Sequence, residues 1–463
     1  MHLLTLELIR GFLTALDHKT MIQIREYGRI TCNTDQSSSP DLGIVTQPTF
    51  DWLLNLKASW RGGDNPIHLM NKNSLKLDSF VGYLESPTGE SIEVLPKTCV
   101  GIPTQNELES GRFLLHRMLL ASMGIKPREV GPASLRRVDQ PLHEWIIGRF
   151  LNELADLVRK GIRSDYRNIE EESRYVRGCI DMSRQLRQRA GRANWFHIRH
   201  DVFSPDTIEN QLLATALSYV RRIVKSPDNW RLTNELSLVL YEIPTLATPD
   251  KYLDKWRSGK LMRSYDAIQP WCRLIIERLN PVFQKGQHKG IAMLFPMERL
   301  FETYVANILK CPLGSKLKTQ ASSQYLISHQ PVSVSNSNLW FQLKPDLLFQ
   351  SEYSTYVMDT KWKLLDEMAS DSESKYKISQ SDLYQLFAYG HKYQNGKGDM
   401  MLIYPKHDGF TLPLPRFSFS DDLNLWVVPF DMEKESLVEG EWISSMPELA
   451  SKTFERLQFQ NHG

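Results

Sequence analysis

The sequence predicts an α+β protein of several domains: a β-rich N-terminal domain, a mainly helical middle region, and a C-terminal α/β domain with a mixed sheet. Three observations predict it. At 463 residues the chain exceeds one ordinary domain. Short strand-like runs between turn clusters fill residues 21–104, three-and-four spacing of apolar residues dominates 105–285, and 286–463 alternates the two patterns. Hydrophobic residues at 41% and charged residues at 24% describe a globular chain able to bury a core.

Residues 1–20 read as an amphipathic N-terminal extension. Leu3, Leu4, Leu6, Leu8, Ile9, Phe12, Leu13 and Leu16 form its apolar side, and Glu7 and Arg10 interrupt it. No basic leader precedes them, so a signal peptide is not expected. No apolar run approaches membrane-spanning length, and no membrane association is expected. Five cysteines, at 32, 99, 179, 272 and 311, form no Cys-x-x-Cys pair. Such a sparse, odd set suits a reducing cytoplasm and argues against a zinc or iron–sulfur site.

Residues 21–104 carry strand-like runs at 22–24, 46–50, 80–84 and 91–95, the last two reading as a hairpin across Ser86-Pro87-Thr88-Gly89. From 105 to 285, residues 107–123 and 141–160 show helical spacing, with Gly161 where a helix-ending glycine belongs. Ser204-Pro205-Asp206 opens a further helix. Residues 175–180 and 194–198 read as strands set among the helices. Net charge is only +2, but residues 111–200 hold 18 Lys and Arg against 10 Asp and Glu. An excess of that kind suits phosphates, an acidic protein or a solvated helical surface equally.

The C-terminal region, 286–463, holds the chemistry. Residues 339–349 read as one strand containing Lys344-Pro345-Asp346, and residues 355–362 as a second containing Asp359-Thr360-Lys361, with a hairpin turn between them. Side chains alternate along a strand, so Asp359 and Lys361 share a face. Two carboxylates suit a hard divalent cation, Mg²⁺ or Mn²⁺, and a lysine beside them suits an attacking water and a phosphate. An Asp-x-Lys triplet alone is commonplace. Here a helical run upstream, 297–309, places Glu298 and Glu302 one turn apart, and Glu302 is taken as the third acid ahead of Glu298. A second helical run, 378–389, with Ser379 or Ser381 as cap, projects Gln385 and Tyr389 from one side. Ser370 to Lys375 form a polar loop beside these residues. No Gly-x-x-x-x-Gly-Lys-Ser/Thr segment occurs, so nucleotide hydrolysis is not expected here.

The order acidic helix, Pro-Asp, Asp-x-Lys, Gln-x-x-x-Tyr resembles the PD-(D/E)XK nuclease superfamily in its RecB-like branch. The wording is closer still to McrC proteins, the nuclease subunits of McrBC modified-cytosine restriction systems. The residues carrying the likeness are Arg299-Leu300-Phe301-Glu302, Lys344-Pro345-Asp346, Asp359-Thr360-Lys361-Trp362-Lys363, Asp382-Leu383-Tyr384-Gln385-Leu386 and Met401-Leu402-Ile403-Tyr404-Pro405. Weaker matches upstream extend it over most of 21–410. The resemblance implies a PD-(D/E)XK endonuclease domain over 286–463, with Asp346, Asp359 and Glu302 as Mg²⁺ ligands. Lys361 would be the catalytic lysine, and Gln385 and Tyr389 its supports. It also implies a DNA substrate, a hexameric McrB-like AAA+ GTPase as partner, a partner-binding role for 21–104 and an adaptor role for 105–285. Two other readings are a stand-alone RecB-like repair nuclease and a non-catalytic regulator of an AAA+ ring that keeps the nuclease fold as scaffold.

Overall fold

In the computed structural model the C-terminal sheet is built around two parallel strands, Thr355–Thr360 and Gly398–Pro405, with Asp359 opposite Leu402. The structure describes residues 21–60, 64–99, 101, 104–125, 140–192, 194–279, 290–330 and 337–460. The expected extension at 1–20 lies outside them. The chain divides into two compact units, one formed by Met1–Asp139 with Leu294–Gly463, the other by Gln140–Met293.

In the first unit the large sheet runs in the order Leu317–Thr319, Leu347–Gln350, Thr355–Thr360, Gly398–Pro405, Leu423–Asp431, Phe417–Ser418, with Ser436–Leu437 beside Leu423–Asp431. Its central pairs are parallel and its outer pairs antiparallel, so the sheet is mixed. Helix Met297–Leu313 covers one face, where Phe301 meets Trp362 and Phe430 and Tyr304 meets Phe430. Helix Gln380–Tyr393 covers the other. Its Leu386 and Tyr389 pack on Val357, Met400, Leu402 and Val427. Each such buried apolar side chain contributes about 1.5–3 kcal/mol. Gly390 is needed on that helix, because a Cβ there would lie 2.9 Å from Leu423 and Met400.

The strand expected over 339–349 is two strands. Asn338–Leu343 leaves the large sheet and pairs with Gln324–His329 in a ribbon of its own, and only Leu347–Gln350 joins the sheet. Pro345 between them lacks the N–H that an unbroken ladder requires. The hairpin from Leu347–Gln350 to Thr355–Thr360 forms as expected, closed by Ser351 and Ser354.

The N-terminal part of this unit carries a sheet in the order Ile22–Arg25, Ser91–Leu95, Phe80–Glu85, Ile291–Pro296, the last strand being where the chain passes between the two units. The expected hairpin of Phe80–Glu85 and Ser91–Leu95 is present. Residues 46–50 are not a strand. Thr46 stands at the N-cap of helix Gln47–Ser59 without a side-chain capping bond, Pro48 occupies the first turn, and Phe50 and Leu53 bury one side. Helix Gln105–Ser122 begins with a reciprocal capping box between Thr104 and Glu107.

The second unit is chiefly helical. Helix Leu142–Lys160 ends at Gly161, whose φ of 93° is open to glycine, and Trp145 meets Trp271 of helix Gln269–Leu279 edge-on. The expected helix after Pro205 runs over Ile208–Ile223, but Thr207 caps it and Pro205 lies outside. Strand Phe196–Ser204 pairs with Cys179–Ile180 and with Asp165–Ser173. Several of this region's arginines are spent on ion pairs, Arg184 and Arg199 with Glu170 and Arg192 with Glu172.

Candidate active site

All six residues singled out from the sequence come together at one end of the large sheet, in two linked groups. Asp359 is the last residue but one of strand Thr355–Thr360 and is 1% exposed. Lys361 Nζ lies 2.6 Å from its Oδ2. The lysine is aimed from the residue after the strand, where its backbone N–H still donates to Ile403 O at 2.9 Å. The same Nζ approaches Gln385 Oε1 at 3.4 Å. Gln385 Nε2 donates to the Tyr389 hydroxyl at 2.7 Å, and that hydroxyl donates to Lys344 O at 3.0 Å. Gln385 and Tyr389, one turn apart, thus tie the lysine to the backbone just before Pro345.

Asp346 anchors the second group. Its Oδ2 accepts from the Thr360 backbone N–H at 2.8 Å and from Thr360 Oγ1 at 2.7 Å. Its Oδ1 accepts from Gln320 Nε2 at 3.3 Å, and the same amide donates to Glu302 Oε1 at 2.5 Å. Glu302 is therefore joined to Asp346 through one side chain, whereas Glu298, a turn earlier on the helix, makes no such link.

The electrostatics follow from crowding acids into a dry place. Burial first, and the Asp346 charge second, push Asp359 up to about 7, while Lys361 pulls the other way. Burial alone would lower Lys361, but the Asp359 charge overcomes it and the lysine is raised. Glu302 is also raised, by burial and then by Asp346. Among the described residues Asp359 Oδ1 has no hydrogen-bond partner, although it is buried. An oxygen so placed wants a cation. Among the described residues, no three His, Cys, Asp or Glu side chains are already closed into a metal shell. The donors Gln320 and Lys361 stand between the acids instead. The set still fits a hard cation, offering carboxylate oxygens from Asp346, Asp359 and Glu302 with no soft ligand among them.

Three contributors were not evident from the sequence. Gln320 follows a short strand in a left-handed conformation, φ 48°, with no motif to mark it. Thr360 sits inside the Asp-Thr-Lys triplet, and its orientation toward Asp346 depends on strand pairing. Glu26, 336 residues from Trp362, accepts its indole N–H at 2.6 Å and so braces the chain just past the lysine.

A mixed sheet flanked by helices, with carboxylates and a lysine at one end, defines an α/β domain with an acidic, lysine-bearing site. A family profile described as McrBC 5-methylcytosine restriction system component matches residues 75–405. The chain belongs to that family, as the motifs at 299–302, 344–346, 359–363 and 382–386 suggested. No curated protein matches the chain. Among solved structures it resembles a chain of the refined half-complex from a tetradecameric assembly of Thermococcus gammatolerans McrB AAA+ hexamers with bound McrC. That likeness has a TM-score of 0.62 and 17% identity over 95% of this chain and 99% of that one. A chain of the Thermococcus gammatolerans McrBC complex aligns at TM-score 0.46 and 18% identity, over 66% of this chain and 90% of that one. Among the described residues no helix is long and apolar enough to cross a membrane.

Proposed function

We propose that this chain is the Mg²⁺-dependent DNA endonuclease component of a modification-dependent restriction system, with a PD-(D/E)XK site, working in the cytoplasm beside an AAA+ GTPase ring. The observation that carries the reading is the placement of Lys361 between Asp359 and Gln385, with Asp346 and Glu302 joined at Gln320. Asp346, Asp359 and Glu302 would hold the metal, Mn²⁺ being an acceptable substitute. When bound, the metal would supply Lewis acidity toward a phosphate and neutralise charge developing on the departing oxygen. The chain's own residues do the positioning. Lys361, kept cationic by Asp359, orients water toward a phosphate and offsets its charge. Gln385 and Tyr389 fix where that ammonium points. Thr360 fixes Asp346, leaving its Oδ1 to the amide of Gln320.

The partner reading draws on family membership and on the McrB hexamers that accompany McrC in the Thermococcus assembly. Residues 21–285 would be the part that meets the ring. A plasmid-cleavage assay with the ring partner, GTP and Mg²⁺ tests the nuclease reading. Asp359→Ala and Lys361→Ala should lose cutting while still stimulating the ring's GTP hydrolysis. Cutting by both variants at the parental rate refutes the site, and absence of any GTPase stimulation by the parent refutes the adaptor.

A further inference from the structure

The ribbon formed by Gln324–His329 and Asn338–Leu343 stands directly upstream of the acids, its second strand leading through Lys344 and Pro345 into Asp346. It is a sheet of only two strands. Ile327 and Trp340 are cross-strand partners and share one face, while at Phe341 the ladder is interrupted between that pair and Tyr325 opposite Gln342. Both aromatic side chains are open to solvent: Trp340 is 41% and Phe341 67% exposed. The His329 ring packs on Trp340 with centroids 4.5 Å apart. Phe341 adopts φ 58°, a conformation that costs a bulky residue energy and recurs at functional sites.

The ribbon's base rests on helix Gln380–Tyr393, where the Tyr393 hydroxyl donates to Leu343 O, while its outer apolar side chains are left to solvent. Charge says what suits them. From 303 to 345 the sequence holds no Asp or Glu, yet it holds Lys310, Lys316, Lys318, Lys344 and His329. Of these His329 lies in the ribbon and Lys344 directly follows it, so a second copy would bring basic groups against basic groups. A polyanion would not, and a duplex groove admits a two-stranded ribbon with a wall for each face. Apolar side chains presented there meet the thymine methyl in the major groove or wedge between base steps from the minor groove.

We propose that this ribbon grips duplex DNA beside the cleavage site, with Trp340 and Phe341 as its base-contacting side chains. The inference rests on the reading of the chain as a DNA nuclease. The test uses the full chain and a short fluorescein-labelled duplex, with anisotropy read over a series of salt concentrations. The Trp340→Ala/Phe341→Ala variant should keep the parental melting temperature and bind about tenfold more weakly, with the salt slope unchanged because phosphate contacts remain. Trp340→Phe alone, which preserves an aromatic face, should bind close to parental strength. Parental affinity in the double variant, no duplex binding by the parent, or a change of oligomeric state in the double variant each overturns the proposal. The two readings fail separately. A parent that binds through the ribbon but never cuts loses the nuclease and keeps the ribbon. A parent that cuts while the double variant binds equally well loses the ribbon alone.

Discussion

Trp362 donates its indole N–H to Glu26 Oε1 at 2.6 Å, joining the residue after the candidate lysine to the first strand's end, 336 positions away. Glu26 also accepts the Lys97 backbone N–H at 2.8 Å and the Ser79 hydroxyl at 3.3 Å. One buried carboxyl therefore satisfies three donors from three segments. Glu26→Ala strands those donors and should cost on the order of 1–3 kcal/mol. Urea denaturation would measure it, and a loss smaller than a few tenths would show that the bracing is nominal.

The same carboxyl gives a pH dependence. Burial pushes Glu26 up to about 7 against the pull of its hydrogen bonds. The folded state then holds a proton that the unfolded chain releases near the ordinary carboxylate pKa. Stability is fullest below that value and declines as pH rises toward 7, then levels. Glu26→Gln should flatten this part of the profile. A profile as steep as the parent's would assign the slope to other groups.

Asp359 titrates in the same sense for a different reason, with Asp346 adding to burial. Its charge is a burden on the fold above neutrality that function would justify. Asp359→Asn should match the parent near pH 4 and exceed it near pH 8, by up to a few kcal/mol. Equal stability at both pH values would mean that Lys361 fully offsets the carboxylate.

Removing the lysine does the opposite. Lys361→Met leaves Asp359 buried without its cation and should destabilise the chain by up to about 3–5 kcal/mol, less whatever protonation of Asp359 relieves. Cleavage should fall by at least about a thousandfold, which exceeds what lost stability explains when the assay is run well below the melting temperature. A variant that melts lower yet cuts normally would make Lys361 purely structural.

Tyr389→Phe removes the hydroxyl that receives Gln385 and donates to Lys344 O. The expected cost is about 1 kcal/mol in stability. The more telling measure is cleavage against pH, where loosening Lys361 should displace the profile while Tyr389→Phe retains most metal-dependent DNA binding. An unmoved profile would make the tyrosine a core residue only.

Much of the site was legible because alternation along a strand is strict. Asp359 and Lys361, two apart, could only share a face, and helical spacing brought Gln385 and Tyr389 to one side. Helix ends were legible where the chemistry is local, as at Gly161. What was lost depended on pairing. The split at Pro345 is written in the sequence, but the run of apolar residues before it reads as more of the same strand. Strand Leu423–Asp431 contains Pro429, a residue that counts against a strand, although its neighbours Val427, Val428 and Phe430 are fully buried. Strand Asp165–Ser173 has no apolar alternation at all. It is held by the strand opposite it, where Arg199 faces Glu170 in register and bonds it at 2.9 Å. Gln320 serves Asp346 and Glu302 only once a turn has delivered it, and no local pattern announces that.

The sheet that begins with Ile22–Arg25 is completed at its far edge by Ile291–Pro296. During synthesis that edge, along Phe80–Glu85, emerges from the ribosome long before its last strand does. Until then the nascent chain displays a row of unclaimed backbone groups over an apolar floor, an invitation to sticking that chaperones or rapid translation must cover. A ribosome stalled before codon 291 would release a product with that seam still open, so yield in the cell should respond to elongation speed across the inserted segment.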